Sequence, residues 1–187
     1  MSRGLVILDR DGVINHDSDS FIKSPDEWRP IDGSIDAIAR LSVAGFDVAV
    51  ATNQSGVARW LLDLSALEAI HKKMEGVVRD AGGVLARIVF CPHHPDDGCH
   101  CRKPRTDLFL QLGHELGVAL NGVPMVGDSE RDMIAARAVG GRPMLVLTGN
   151  GKSTAATLTD HASSPETFED LSAAASFLIA ESPHRST

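Results

Sequence analysis

Leu5-Val6-Ile7-Leu8-Asp9-Arg10-Asp11-Gly12 is the stretch that decides the fold. A short apolar run bounded by polar residues reads as a strand buried on both faces, the kind that parallel sheets contain. Ligands of open α/β sheets collect at the carboxyl ends of such strands. A strand over residues 5–8 therefore carries Asp9 and Asp11, one residue apart, to the functional rim of a sheet.

Outward from that strand, strand and helix signals alternate. Ile35, Ile38 and Leu41 stand at helical spacing and predict a helix over 33–44, which Gly45 ends; residues 46–51 read as the second strand. A long helix follows, opened by the capping pattern Ser65-x-x-Glu68 and closed near Gly82 and Gly83. Further strands are expected at 85–90, 123–126 and 144–147, with helices at 108–116, 131–139 and 168–180. Residues 149–164 read as a flexible small-residue connection, and 181–187 as a frayed tail. Alternation of this kind implies βαβ units, hence a doubly wound α/β fold with a parallel sheet between two helical layers. One domain over residues 1–187 is expected.

Composition narrows the partners. The 187 residues carry a net charge of −7, and nucleic acid or an anionic membrane demands a basic face. No apolar run approaches the roughly 20 residues that span a bilayer, and Met1-Ser2-Arg3-Gly4 shows no leader pattern. The expectation is a monomeric cytoplasmic protein acting on a small molecule, with neither nucleic acid nor membrane as partner.

Three strands end in polar signatures. Asp9 and Asp11 follow the first, Thr52-Asn53-Gln54-Ser55-Gly56 the second, and Gly127-Asp128-Ser129 the strand over 123–126; Arg102-Lys103-Pro104 adds a basic element. One acidic strand end is weak, because polar residues commonly terminate strands. Several on one edge suit phosphoryl transfer through an aspartyl phosphate, in which a carboxylate attacks phosphorus and splits one hard displacement into two easier ones. Repulsion between carboxylate and phosphate is relieved by Mg²⁺, which favours a few carboxylates together with phosphate oxygens. Asp9 and Asp128 fit as its ligands. Lys103 and Thr52 fit as donors to the phosphoryl oxygens, and Asp11 as the acid and then the base.

This order of motifs resembles the haloacid dehalogenase superfamily of phosphatases over residues 8–132. The resemblance implies a Rossmann-like core, Asp9 as nucleophile, Asp11 as acid/base and magnesium ligand through its carbonyl, Thr52 and Lys103 on the phosphate, and Asp128 on the metal. For Asp132 two readings stand: it orients a metal-bound water, or it complements a helix dipole in the first turn. Only short segments separate the motifs, so no large cap domain is expected. Phospho-Asp receiver domains share the sheet but carry their acceptor on a different strand from their acidic pair.

All three cysteines lie between Cys91 and Cys101, an odd number in one loop, which favours a metal over disulfides. Cys91, His93, Cys99 and Cys101 form a Cys₃His set suited to structural Zn²⁺, with His94 and His100 as competing imidazoles. Pinning this small loop fixes Arg102 and Lys103, which follow it directly. His71 and His114 fall in helical segments and read as surface or packing residues.

Within the superfamily the chain is similar to two zinc-bearing groups. The stretches Leu8–Asn15, Ile31-Asp32-Gly33, Thr52–Arg59 and Cys91–Pro95 resemble the group acting on D-glycero-D-manno-heptose 1,7-bisphosphate, which loses its 7-phosphate for use in lipopolysaccharide or another glycoconjugate. The short loop between His93 and Cys99 is similar instead to the histidinol-phosphate group, which is the alternative. The heptose resemblance places substrate against Arg10, Asp17, Ser18, Asp19, Ser20, Asn53, Gln54, Ser55 and Arg102. A guanidinium at 102 suits bidentate contact with an anion, including a phosphate that is not cleaved. Trp60 departs from the family, which carries glycine after the arginine at this point, and the chain has no tyrosine in its substrate loop or elsewhere.

Overall fold

A computed structural model describes residues 4–158 and 164–182. Residues 1–3, residues 159–163 of the expected connection and residues 183–187 of the expected frayed tail lie outside the described residues.

Strand β1 (Gly4–Leu8) is followed by helix α1 (Ser34–Val43), then β2 (Phe46–Asn53), α2 (Leu64–Asp80), β3 (Leu85–Cys91) and α3 (Asp107–Leu116). The second half runs β4 (Pro124–Gly127), α4 (Glu130–Ala138), β5 (Arg142–Val146), α5 (Gly151–Thr157), β6 (Glu166–Phe168) and α6 (Leu171–Glu181). All strands are parallel, in the order β3-β2-β1-β4-β5-β6. The chain builds outward from β1 in one direction and from β4 in the other, so the direction of winding reverses between β1 and β4. That reversal opens a crevice at the carboxyl ends of these two strands.

Period-two alternation divides the core between the faces. Val6 and Leu8 join Val48, Val50, Leu41, Ile70 and Leu178 beneath α1, α2 and α6. Leu5 and Ile7 join Ala49, Ala51, Leu108, Leu112 and Ala135 beneath α3 and α4. The β1 residues Val6, Ile7 and Leu8 are buried, as a central parallel strand requires, and each such side chain contributes about 1.5–3 kcal/mol through apolar burial.

Three expectations are corrected. The N-cap of α2 is Asp63, not Ser65: its Oδ1 accepts from Ala66 N and from the Ser65 hydroxyl, each at 2.7 Å, while Glu68 pairs with Lys72 along the helix. The small-residue connection holds the helix α5, because Gly151 packs where a Cβ would strike the Val146 carbonyl and the Thr154 hydroxyl donates to the Asp128 carbonyl at 2.8 Å. Phe168 ends the edge strand β6, and the last helix begins only at Leu171, capped by Asp170. Of the two readings of His71, packing is the one observed, since the residue is buried at 7% exposure. Among the described residues no helix is long and apolar enough to cross a membrane, and no cap domain covers the crevice.

Candidate active site

The β1–β4 crevice is built by the continuation of the ladder past β1. Asp9 N donates to the Val126 carbonyl at 2.9 Å, which ties the first carboxylate to the end of β4. The chain then turns at once: Ile14 N bonds the Arg10 carbonyl at 2.8 Å and Gly12 N the Asn15 carbonyl at 2.7 Å. Gly12 adopts φ +81°, and a Cβ there would fall 2.1 Å from Asp128 Oδ2, so glycine is what lets the two acidic loops meet.

Asp9, Asp128 and Asp132 offer carboxylate oxygens that all lie within 4.8 Å of one another. Burial is the main force on Asp9 and raises its pKa to about 7 against the pull of Lys103, with Asp132 and Asp128 pushing the same way as burial. Burial likewise raises Asp128 to about 6, opposed by the backbone N–H of Asn150, which donates to Oδ2 at 2.7 Å. Carboxylates crowded this way against a glycine cradle suit a small divalent cation, which would stabilise their ionised forms.

Lys103 enters from the other side. Its buried ammonium donates to the Ala51 carbonyl at 2.8 Å and lies 3.0 Å from Asp9 Oδ1 and 2.6 Å from Asp132 Oδ1. Burial alone would lower its pKa, but Asp132 and Asp9 outweigh that and raise it, so the charge is kept. Asn53 clamps the main chain: its Oδ1 accepts from Lys103 N at 3.0 Å and its Nδ2 donates to the Lys103 carbonyl at 3.1 Å. Asp132 also closes a capping box with Ser129 at the start of α4. Asp132 thus faces Lys103, stands beside Asp9 and Asp128, and caps α4.

Asp11 points into a ring of donors. Arg10 reaches it with Nε and Nη2 at 3.0 Å each, Asn15 Nδ2 at 2.9 Å and Gln54 Nε2 at 2.8 Å. Gln54 Nε2 also donates to the buried Thr52 hydroxyl at 2.9 Å. Arg10 is placed otherwise than expected of a substrate contact. At 1% exposure it lies behind the cavity, bonded to Asp11, to Gln54 Oε1 and to His71 Nε2 at 3.2 Å. Burial, then Arg10, lowers the His71 pKa to about 4, which leaves a neutral ring to accept from the guanidinium.

A cavity of about 270 Å³ opens above these groups, lined by Asp9, Asp11, Thr52, Lys103 and Asp128 at its base. Asp17, Ser18, Asp19, Asn53, Gln54, Ser55 and Arg102 line it as well, whereas Ser20 does not: its carbonyl accepts from Lys23 instead. Phe21, Ile22, Arg131 and Asn150 complete the wall without having been singled out in the sequence. Phe21 and Ile22 carry no chemical signature, and Arg131 reads as an ordinary helical surface charge until α4 is placed at the rim.

Beside the cavity, Cys91 Sγ lies 3.6 Å from both Cys99 Sγ and His93 Nδ1. His93 Nδ1 is 3.2 Å from Cys101 Sγ, and Cys101 Sγ is 3.8 Å from Cys99 Sγ. Tetrahedral zinc with Zn–S bonds of about 2.3 Å separates its sulfurs by about 3.8 Å, so the four side chains fit that ion. His94 is engaged elsewhere, accepting from Asp96 N in the following turn. The His93 imidazole is the one in the cluster.

Comparison with known proteins follows the same line. The HAD-hydrolase-like family model matches residues 100–174. The chain is 54% identical to the D-glycero-β-D-manno-heptose-1,7-bisphosphate 7-phosphatase of Pseudomonas aeruginosa, over 96% of this chain and 99% of that one. The chain belongs to the haloacid dehalogenase-like phosphatases. This phosphatase superposes on the D,D-heptose 1,7-bisphosphate phosphatase of Bordetella bronchiseptica, complexed with magnesium and phosphate, with a TM-score of 0.92 and 50% identity, covering 96% of this chain and 99% of that one. The phosphatase from Burkholderia thailandensis matches with a TM-score of 0.74 and 39% identity, over 96% of this chain and 100% of that one.

Proposed function

We propose that this phosphatase removes the 7-phosphate of D-glycero-β-D-manno-heptose 1,7-bisphosphate through a phosphoryl group carried on Asp9. The reading rests on one arrangement: Asp9, Thr52, Lys103 and Asp128 at the base of a cavity that carries Arg102 on its wall. Mg²⁺ bound by Asp9, Asp128 and the Asp11 carbonyl would neutralise the charge of the phosphate. Asp9 attacks phosphorus, the bond from phosphorus to the sugar oxygen breaks, and Asp11 gives that oxygen its proton. Water then attacks the phosphoryl-Asp9, loses a proton to Asp11, and the phosphorus–Asp9 bond breaks. Lys103 and the Thr52 hydroxyl hold the phosphoryl oxygens throughout.

Cys91, His93, Cys99 and Cys101 would hold a structural Zn²⁺, which would close the loop that delivers Arg102 and Lys103. Asp17 and Asp19 accept hydroxyls of the polyol on their carboxylates, and Ser18, Asn53, Gln54 and Ser55 complete its polar surroundings. Arg10 acts on Asp11 rather than on substrate. The 187 residues work as one catalytic domain.

Comparing kcat/KM for heptose 1,7-bisphosphate, histidinol phosphate and fructose 1,6-bisphosphate in Mg²⁺ tests the assignment. Heptose bisphosphate is expected to lead. A lead for histidinol phosphate would replace the substrate and keep the chemistry, and no hydrolysis of any would remove both.

A further inference from the structure

Resting on the phosphatase reading above, we propose that Arg131 sets specificity at the far end of the substrate, joining Arg102 in a two-guanidinium clamp for a second anionic group that is not cleaved. Arg131 stands in the first turn of α4, next to Asp132, whose bonds to Ser129 and Lys103 hold that turn against the reacting centre. It lines the same cavity as Asp9 and Asp128, and it makes no hydrogen bond or ion pair with any described residue. Arg102 faces the cavity as well, and its Nη1 is buried without a hydrogen-bond partner.

A buried donor left unpaired is unfavourable unless a ligand supplies the acceptor. The charges point the same way. Arg131 places a second guanidinium on the same cavity lining as Arg102. Two guanidinium groups without a carboxylate between them are stabilised by a dianion, which each can meet in bidentate fashion. Arg105, in contrast, is occupied, donating to the Cys99 carbonyl.

The remaining lining of the catalytic cavity selects the rest of the molecule. Asp17, Ser18 and Asp19 belong to it and repel a phosphate while accepting hydroxyls. An adjoining hollow of about 450 Å³ is bounded by Arg102 and Arg131 too, so the clamp borders both spaces. The ligand class is a phosphorylated polyol with a second phosphate at its other end.

The test is the ratio of kcat/KM for a bisphosphate to that for the matching monophosphate, measured with fructose 1,6-bisphosphate and fructose 6-phosphate for the wild type, Arg131→Gln and Arg131→Lys. Loss of one charged contact to phosphate should lower the ratio about tenfold in Arg131→Gln, mostly through KM, with Arg131→Lys restoring part of it. An unchanged ratio in Arg131→Gln overturns the proposal. A wild-type preference for histidinol phosphate would displace the heptose reading alone, because the fructose ratio still reports on Arg131.

Discussion

The Lys103 ammonium lies 3.0 Å from Oδ1 of Asp9, between that carboxylate and Asp132. One buried cation thus faces both the proposed nucleophile and Asp132. Replacing Asp132 by Asn leaves Lys103 with one carboxylate in a buried site, and breaking such a pair costs about 3–5 kcal/mol. Urea unfolding of Asp132→Asn should show a loss of that order, and kcat should fall with it. Wild-type stability and rate would show that Asp132 holds nothing.

The carboxylate pKa values give a pH dependence with a definite sign. Asp9 near 7 and Asp128 near 6 lie above the unfolded values of about 4, so the metal-free folded state holds their protons more tightly than the unfolded chain does. Their contribution to stability is complete below about pH 4 and is lost as pH rises through the folded values. Mg²⁺ competes with those protons. Its affinity should strengthen from about pH 6 to about pH 8, and the stabilisation it gives in thermal unfolding should grow over the same span. Affinity independent of pH there would contradict the site.

Removing zinc should act at a distance. Chelation, or Cys99→Ser, frees the loop that ends in Arg102 and Lys103, so turnover should fall even with Mg²⁺ in excess, with metal analysis showing loss of zinc alone. Full activity in zinc-free protein would detach the loop from the chemistry.

Trp60 is 93% exposed at φ +58°, in the left-handed region that favours glycine. This accounts physically for the glycine found after arginine in the family that the sequence resembles. Trp60→Gly should be more stable than Trp60→Ala by roughly 1 kcal/mol in urea unfolding, because only glycine relieves the backbone. Equal midpoints would mean that the turn holds no strain.

Much of this architecture was legible because its signals are local. Leu5 to Leu8 could be read as a buried strand from apolarity alone, and Cys91, His93, Cys99 and Cys101 as one cluster from their spacing. What escaped depends on contacts distant in sequence. The helix α5 has no apolar stripe and exists because Gly151 and Thr154 pack on β5 and the Asp128 loop. The three residues of β6 form an edge strand whose pattern is too short to separate Phe168 from the helix beyond. Arg10 looked like a rim residue beside two acids, yet His71, 61 positions away on α2, draws it beneath the site. Asp132 and Arg131 are neighbours with different partners, and only the placement of α4 distinguishes them.

Acid-quenched single-turnover reactions followed by peptide mass mapping test the central claim most directly. A phosphoryl group should be found on the peptide containing Asp9, should accumulate in Asp11→Asn with p-nitrophenyl phosphate, whose leaving group needs no acid, and should be absent in Asp9→Asn along with turnover. A phosphoryl group on another residue, or an Asp9→Asn protein that hydrolyses substrate at the wild-type rate, would contradict the account.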